Sequence, residues 1–522
     1  MLTPLPADRW TYNAAAHLAV RAGFGAGPDE LELWRKQGLE QTLHGLLNGP
    51  VENVPAPHWA NPFEFKQLRE QARLATTPEA KQAAQQVIHQ TVRTQMDDLI
   101  DWWTQELTST NAPLREKMVL FWHGHFATSA EKVRPPYRMW RQNQTFRDLA
   151  FADFGTMLKA VSRDPAMMVW LDIDSSKKEH PNENFARELL ELFSLGEGHY
   201  TEADIRAAAR AFTGYRFDPG TEGFRFVPAQ FDGSQKTFMQ QTGPWDGDQI
   251  IDIVLKQQQC SRFLAQKLCR FFVADSPDPK LVEALADYLY RNDYSLKAAL
   301  RTLFSAQEFY AGQVYSAIIK SPVQLIVQAK RTLDVGLPPA QGLQNVYRQL
   351  NQIPFYPPNV KGWDGGKSWI NTATLTYRYN LAHLLVGGIR PEQVGMPKFP
   401  PAPKPAVMQD TTAAGTMMST ASASPSPSPS GSPSVVAAVP TPTPYPPVTA
   451  PWVVSRFVRD EARRDPRKLI DVLTKRIFQP PPTSELVERF VELAASHPIP
   501  YDDKTVRDLM ALMMSTPNYQ LC

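Results

Sequence analysis

The segment STASASPSPSPSGSPSVVAAVPTPTPYPPVTAP, residues 419–451, alternates Ser or Thr with Pro over much of its length. Proline removes a backbone donor and fixes φ, and the segment has too little apolar surface to offset ordering entropy. Neither helix nor sheet ladder can run through it. We expect a disordered or polyproline-like insertion over residues 396–451. It separates a main body, 1–395, from a C-terminal segment, 452–522, whose three short amphipathic helices make too thin a core to stand alone and so pack back on the body.

On either side of that insertion the apolar period is helical. In ADIRAAARAF apolar residues recur at helical spacing, and Thr201 with Asp204 forms a capping box ahead of them. RKLIDVLTKRIF, ELVERFVELA and KTVRDLMALMM repeat the pattern after the insertion. Strict alternation is rare, with FRFVPAQF at 224–231 the best strand, at most a short hairpin. The expected fold is mainly α, a multi-helix globular body with long irregular loops.

Charge narrows the partners. With 55 Lys and Arg against 53 Asp and Glu, the net charge of +2 supplies no general field for nucleic acid or an anionic membrane surface. No apolar run is long enough for a membrane span. The three cysteines, Cys260, Cys269 and Cys522, have no CxxC spacing, which speaks against a disulfide framework or a cysteine zinc site. No signal peptide is recognisable at the start, so the default compartment is the cytoplasm.

Four segments carry residues that chemistry can use. In HPNENFARELLELFSLG, at about 100° per residue, Asn184, Arg187, Glu188 and Glu191 fall within an arc of about 100° on a helix otherwise apolar. Such a stripe is expected to be buried or to line a cleft. Two carboxylates one turn apart raise the pKa of one of them unless a cation sits between, a condition for acid–base work or metal binding; a structural ion-pair network is the competing account. Upstream, Arg134, Arg138 and Arg141 follow i, i+4, i+7 spacing, and we expect them to meet Glu188 and Glu191 or to bind an anionic substrate group. In LREKMVLFWHGHFATS, His123 and His125 lie two apart, on opposite sides of a continuing helix, and converge on a metal only where the helix ends; a packed, hydrogen-bonded pair is the plainer reading. In FYPPNVKGWDGGKSWINT, Trp363 and Trp369 stud a glycine-rich loop, either as a sugar-stacking surface or as plugs onto the core. Asp172, in MVWLDID, is a further candidate for the acid–base cluster. Phosphate-loop, EF-hand, nucleophile-elbow and dinucleotide fingerprints are absent.

The segments HLAVRAGFGAGPDEL, LREKMVLFWHGHFATS, RQNQTF, VSRDPAMMVWLD, HPNENFARELLELFSLGEGHYTEADIRAAARAFTGYRF, SPVQLIV, PPNVKGWDGGKSWINT and LMALMMSTPNYQLC together resemble the bacterial family catalogued as domain of unknown function 1800. The resemblance covers nearly the whole chain except the insertion. It implies no settled reaction. It does imply a neighbour, since members are often encoded beside a sulfatase-like protein with a twin-arginine export signal, and with it periplasmic placement by co-export. Members often carry His-Asp where this chain has Phe231-Asp232, which weakens any scheme that uses that histidine as a ligand.

Two roles follow as expectations. One is an enzyme acting on an anionic or glycan-related substrate: Glu188, Glu191, Asn184, Arg187 and Asp172 as catalytic candidates, Arg138, Arg141, Trp363 and Trp369 binding substrate, and His123 with His125 holding a divalent metal. The other is a non-enzymatic scaffold or export escort for the sulfatase-like partner.

Overall fold

The computed structural model describes residues 2–50, 54–387 and 454–522. The expected insertion, 396–451, lies outside the described residues. Within them, 22 α-helices and two small antiparallel hairpins supply the regular structure, the mainly α architecture that the helical period predicts.

Proline starts many of these helices, among them Pro78–Ser109, Pro113–His125, Pro136–Asp148, Pro322–Leu333 and Pro466–Ile477. A first-turn amide has no intrahelical partner, so its loss is harmless there, and the fixed φ favours the helix. The capping box expected at Thr201 and Asp204 is present, and a second joins Asp246 to Gln249.

Helix Pro113–His125 runs through the centre of the molecule. Every residue in it except Arg115 and Gly124 is buried, including Glu116, Lys117, His123 and His125. Glu116 takes a two-pronged ion pair from Arg147, with Nη2 at 2.9 Å, and accepts from the Trp103 indole at 3.1 Å. Trp103, Trp122, Phe126 and Phe146 form the aromatic heart of the core around it.

The three helices read after the insertion are Pro466–Ile477, Ser484–Ala495 and Asp503–Met514. Asp503–Met514 lies against Thr372–Gly387, and Pro466–Ile477 against Pro322–Leu333. The Gln479 amide exchanges hydrogen bonds with the backbone of Ala26, 3.2 Å and 2.6 Å. Cys522 pairs through its backbone with Ile318 at 3.2 Å and 2.9 Å.

Several local expectations need correction. Arg134 precedes helix Pro136–Asp148 and so does not share its face with Arg138 and Arg141. The strand at 224–231 is shorter, Gly223–Phe226, paired with Tyr215–Asp218. A second hairpin, Lys236–Phe238 with Gln241–Gly243, was not expected, because strands of three residues are too short to show a period. The polar helix does not start at His180 and run to Gly196. It is α-helical over Asn184–Glu188 and then opens into a π-helix, Leu189–Ser194. Both Leu195 and Gly196 donate to the Leu190 carbonyl, and the Ser194 hydroxyl reaches back to the Leu189 carbonyl.

Candidate functional site

The wider π turn breaks the stripe into separate contacts. Arg187 is half-exposed and pairs with Glu202 at 2.9 Å and Glu183 at 3.3 Å. Asn184 Nδ2 reaches Asp172 at 3.4 Å, and Lys132 caps the same carboxylate at 2.8 Å. Asp172 holds this position with a left-handed backbone, φ 56°. Glu191 accepts from the Tyr200 hydroxyl at 2.6 Å. Glu188 has neither arginine nor hydroxyl partner. Burial and the Glu191 charge push its carboxyl up to about 7, against the pull of Arg187 and Lys361. Arg187, Glu188 and Glu191 are thus part-buried and Asn184 exposed, so the stripe is not in the interior, the first of the two places expected for it.

The arginines go elsewhere. Arg138 meets Glu222 at 2.8 Å and lies 4.0 Å over the Phe217 ring, so it reaches neither Glu188 nor Glu191. Arg141 is exposed and leans on Trp140. The buried pair here is Arg147 on this helix with Glu116 on Pro113–His125, which was not singled out although Glu116 lies in LREKMVLFWHGHFATS and Arg147 directly follows RQNQTF.

The histidines each take a backbone partner. His123 Nε2 accepts from the Phe355 amide at 2.9 Å. His125 Nε2 lies 3.0 Å from the Phe193 carbonyl, inside the π segment, and so donates to it. Its Nδ1 is buried without a partner. Burial pushes both imidazoles down to about 3, so both are neutral, and for His125 the Lys267 charge acts in the same direction. Among the described residues no group of three or more His, Cys, Asp or Glu side chains lies together as a metal site.

His125 faces a cavity of about 210 Å³. One wall is helix Pro113–His125, a second helix Gln258–Phe272, a third the strip from Ile318 to Gln324, and a fourth the glycine-rich loop from Lys361 to Trp369, with Cys522 closing the end. Six cationic side chains line it, Arg21, Lys117, Lys267, Arg270, Lys320 and Lys361, against two carboxylates, Asp275 and Asp364.

Three of these cations are fully interior. Arg21 is 1% exposed, Lys117 6% and Lys320 1%, and among the described residues none has a carboxylate within 4 Å. Arg21 donates through Nη2 to the Val314 carbonyl at 2.6 Å, while its Nε and Nη1 are buried without partners. Lys117 donates to the Gln324 amide oxygen and sits between the rings of Phe24, 4.8 Å, and Phe271, 5.5 Å. Lys320 rests 4.1 Å over the Tyr519 ring. Burial pushes both lysines down to about 7. Arg21 adds to the effect at Lys117 and Arg378 at Lys320, with Cys522 opposing at each. Asp275, raised by burial, is the carboxylate whose charge reaches Arg21.

The glycine-rich loop fits this place because two of its glycines have no Cβ. At Gly362, φ +80°, a Cβ would stand 2.5 Å from the Gly124 carbonyl. At Gly366, φ +54°, it would stand 3.1 Å from the Asp275 carboxylate. Trp369 is buried, as the plug reading has it, and Trp363 is half-buried against His123 at 5.6 Å. Both tryptophans form a partition, since their other side lines an open groove of about 950 Å³ with Tyr356, Arg93, Arg134 and Arg348. Lys361 links the cavity to the stripe: it lies 3.6 Å from Glu197 and its charge acts on Glu188.

Sequence reasoning missed Arg21, Lys117 and Lys320. Arg21 and Lys320 are single cations in the apolar runs HLAVRAGF and AIIKSPV, and Lys117 follows Arg115 and Glu116 at the head of another, REKMVLFW. That signal is ambiguous, because a lysine or arginine in such a run usually extends its charge to solvent.

No helix of the described residues is long and apolar enough to cross a membrane. The family model described as "Protein of unknown function (DUF1800)" matches residues 17–521. No curated protein matches the chain, and no solved structure does.

Proposed function

The chain belongs to the DUF1800 family, proteins of unknown function, and from that premise we propose that it binds and acts on a small anionic substrate held in the cationic cavity. The observation that supports this reading is the burial of Arg21, Lys117 and Lys320 around one space, none of them in an ion pair with a carboxylate among the described residues. An uncompensated interior charge is strongly destabilising, and a protein of net charge +2 has ample acidic residues with which to pair it. Leaving three such charges facing a cavity is the arrangement expected where the counter-charge arrives as a ligand. A carboxylate, phosphate or sulfate group suits them, and Arg21 has two guanidinium nitrogens, Nε and Nη1, left without partners to donate to it.

His125 and Glu188 are the acid–base candidates in this reading. His125 Nδ1 is an unused acceptor in the cavity wall, and Glu188 is pushed up to about 7 by burial and the Glu191 charge, against the pull of the cavity-lining Lys361.

The test is thermal unfolding in sulfate and in phosphate against chloride at matched ionic strength. The native chain gains Tm with the oxyanions. Lys320→Met and Lys117→Met each raise the starting Tm, because a buried charge is replaced by an apolar chain, and each diminishes the oxyanion gain. An undiminished gain in both variants overturns the proposal. The alternative drawn from the resemblance, an escort for a sulfatase-like partner, calls instead for co-elution with that partner and no oxyanion response.

A further inference from the structure

We propose that Lys320 is a nucleophilic amine that condenses with the carbonyl group of a small oxo or aldehyde acid bound in the cationic cavity; the proposal rests on the anion-binding reading above. The argument turns on the difference between the two buried lysines. Lys117 is engaged, since its Nζ donates to the Gln324 amide oxygen and lies near the rings of Phe24 and Phe271. Lys320 is 1% exposed, lines the same cavity, has one ring beneath it and, among the described residues, its Nζ makes no hydrogen bond. The Arg378 guanidinium, itself buried, donates at 2.9 Å to the Lys320 backbone carbonyl, which keeps a permanent positive charge beside this residue. Burial favours the neutral, nucleophilic form of this amine; the Cys522 charge opposes that and the Arg378 charge adds to it, and no hydrogen bond holds its protons in place.

The other cations then have a distinct task. Arg21 and the hydrogen-bonded Lys117 hold the acid group and leave the Lys320 amine free to react. A cavity of about 210 Å³ suits a molecule of a few carbon atoms.

The step balances within the cavity. The Nζ lone pair forms the bond to the carbonyl carbon, and the C=O π pair moves to oxygen. The two amine protons leave with that oxygen as water, and the C=N bond remains. No oxidant or reductant takes part.

The experiment uses the whole chain with glyoxylate, an aldehyde acid, and cyanoborohydride, whose hydride converts any imine into a stable secondary amine. Peptide mass mapping then reads every lysine at once. Lys320 is expected to be modified at least about tenfold faster than exposed lysines such as Lys36 and Lys504. Excess sulfate protects it, and acetaldehyde, which lacks the acid group, shows no such preference. Modification spread over the surface lysines with Lys320 spared overturns the proposal, and because the readout is on the native chain it does not depend on a variant folding. If sulfate still raises Tm in that case, the amine alone is refuted; if it does not, the anion-binding reading falls with it.

Discussion

Glu116 and Arg147 show what a buried charge looks like when it is there for structure. The pair is almost fully enclosed, its lone pairs and protons are shared with Trp103 and Gln144, and it joins two core helices. Glu116→Gln leaves the guanidinium uncompensated and is expected to lower unfolding free energy by about 3–5 kcal/mol, read by urea denaturation, without altering the oxyanion response. His123 and His125, two of three interior histidines with His17, set a pH dependence of stability. Their folded pKa of about 3 lies below the unfolded value near 6.5, so the unfolded chain binds more protons between those limits and stability falls as pH drops through them. Glu188, raised to about 7 from near 4.5, works against this, its contribution declining as pH rises from about 4.5 to 7. With His17, also pushed well below its ordinary value, three interior histidines outweigh Glu188 and the buried Asp164, itself raised to about 6, so the urea midpoint is expected to fall between pH 6.5 and 4, and His125→Phe to flatten the slope. At this scale the motifs of Glu116, His123 and His125 were legible as apolar helix with polar residues in it. Their partners were not, because Phe355, Phe193 and Arg147 are brought to them by tertiary packing that no local spacing encodes.

Among the elements, the π segment and the glycine-rich loop do most to shape the site. Both were read from the sequence as regular or loosely defined pieces, a continuous α-helix and an aromatic turn. An α period of 3.6 places Glu188 and Glu191 on one face, and it could not foresee that Leu189–Ser194 would open to a wider turn whose Phe193 carbonyl is taken by His125. The loop is fastened at Gly362, and here two substitutions separate strain from collision. Gly365→Ala meets open space, so only its backbone conformation resists, at about 1–3 kcal/mol. Gly362→Ala adds a clash with the Gly124 carbonyl. We expect Gly362→Ala to be the more destabilising of the two in thermal unfolding, and to lose the oxyanion response that Gly365→Ala retains. Equal behaviour of the two variants contradicts this account of how the loop is seated.

For the whole molecule, the helical class and the three helices after the insertion follow directly from the apolar period, whereas the cavity does not, because it belongs to no single segment. Its lysines also tie stability to alkaline pH. With folded pKa values of about 7 against an unfolded value near 10.4, Lys117 and Lys320 weaken the native state fully below pH 7 and progressively less up to about 10. Stability is therefore expected to rise between pH 7 and 9, and saturating sulfate to remove much of that slope; an unchanged slope in Lys117→Met/Lys320→Met counts against it. The cavity walls carry Arg21, Lys117, Lys267, Lys320, Lys361 and Cys522, residues spaced across almost the full chain. Contacts of such sequence separation close late, after the local helices have formed. During refolding, ellipticity should therefore recover before the ability to take up an anion, so that ligand capture marks the last stage of assembly and no partly folded chain competes for substrate.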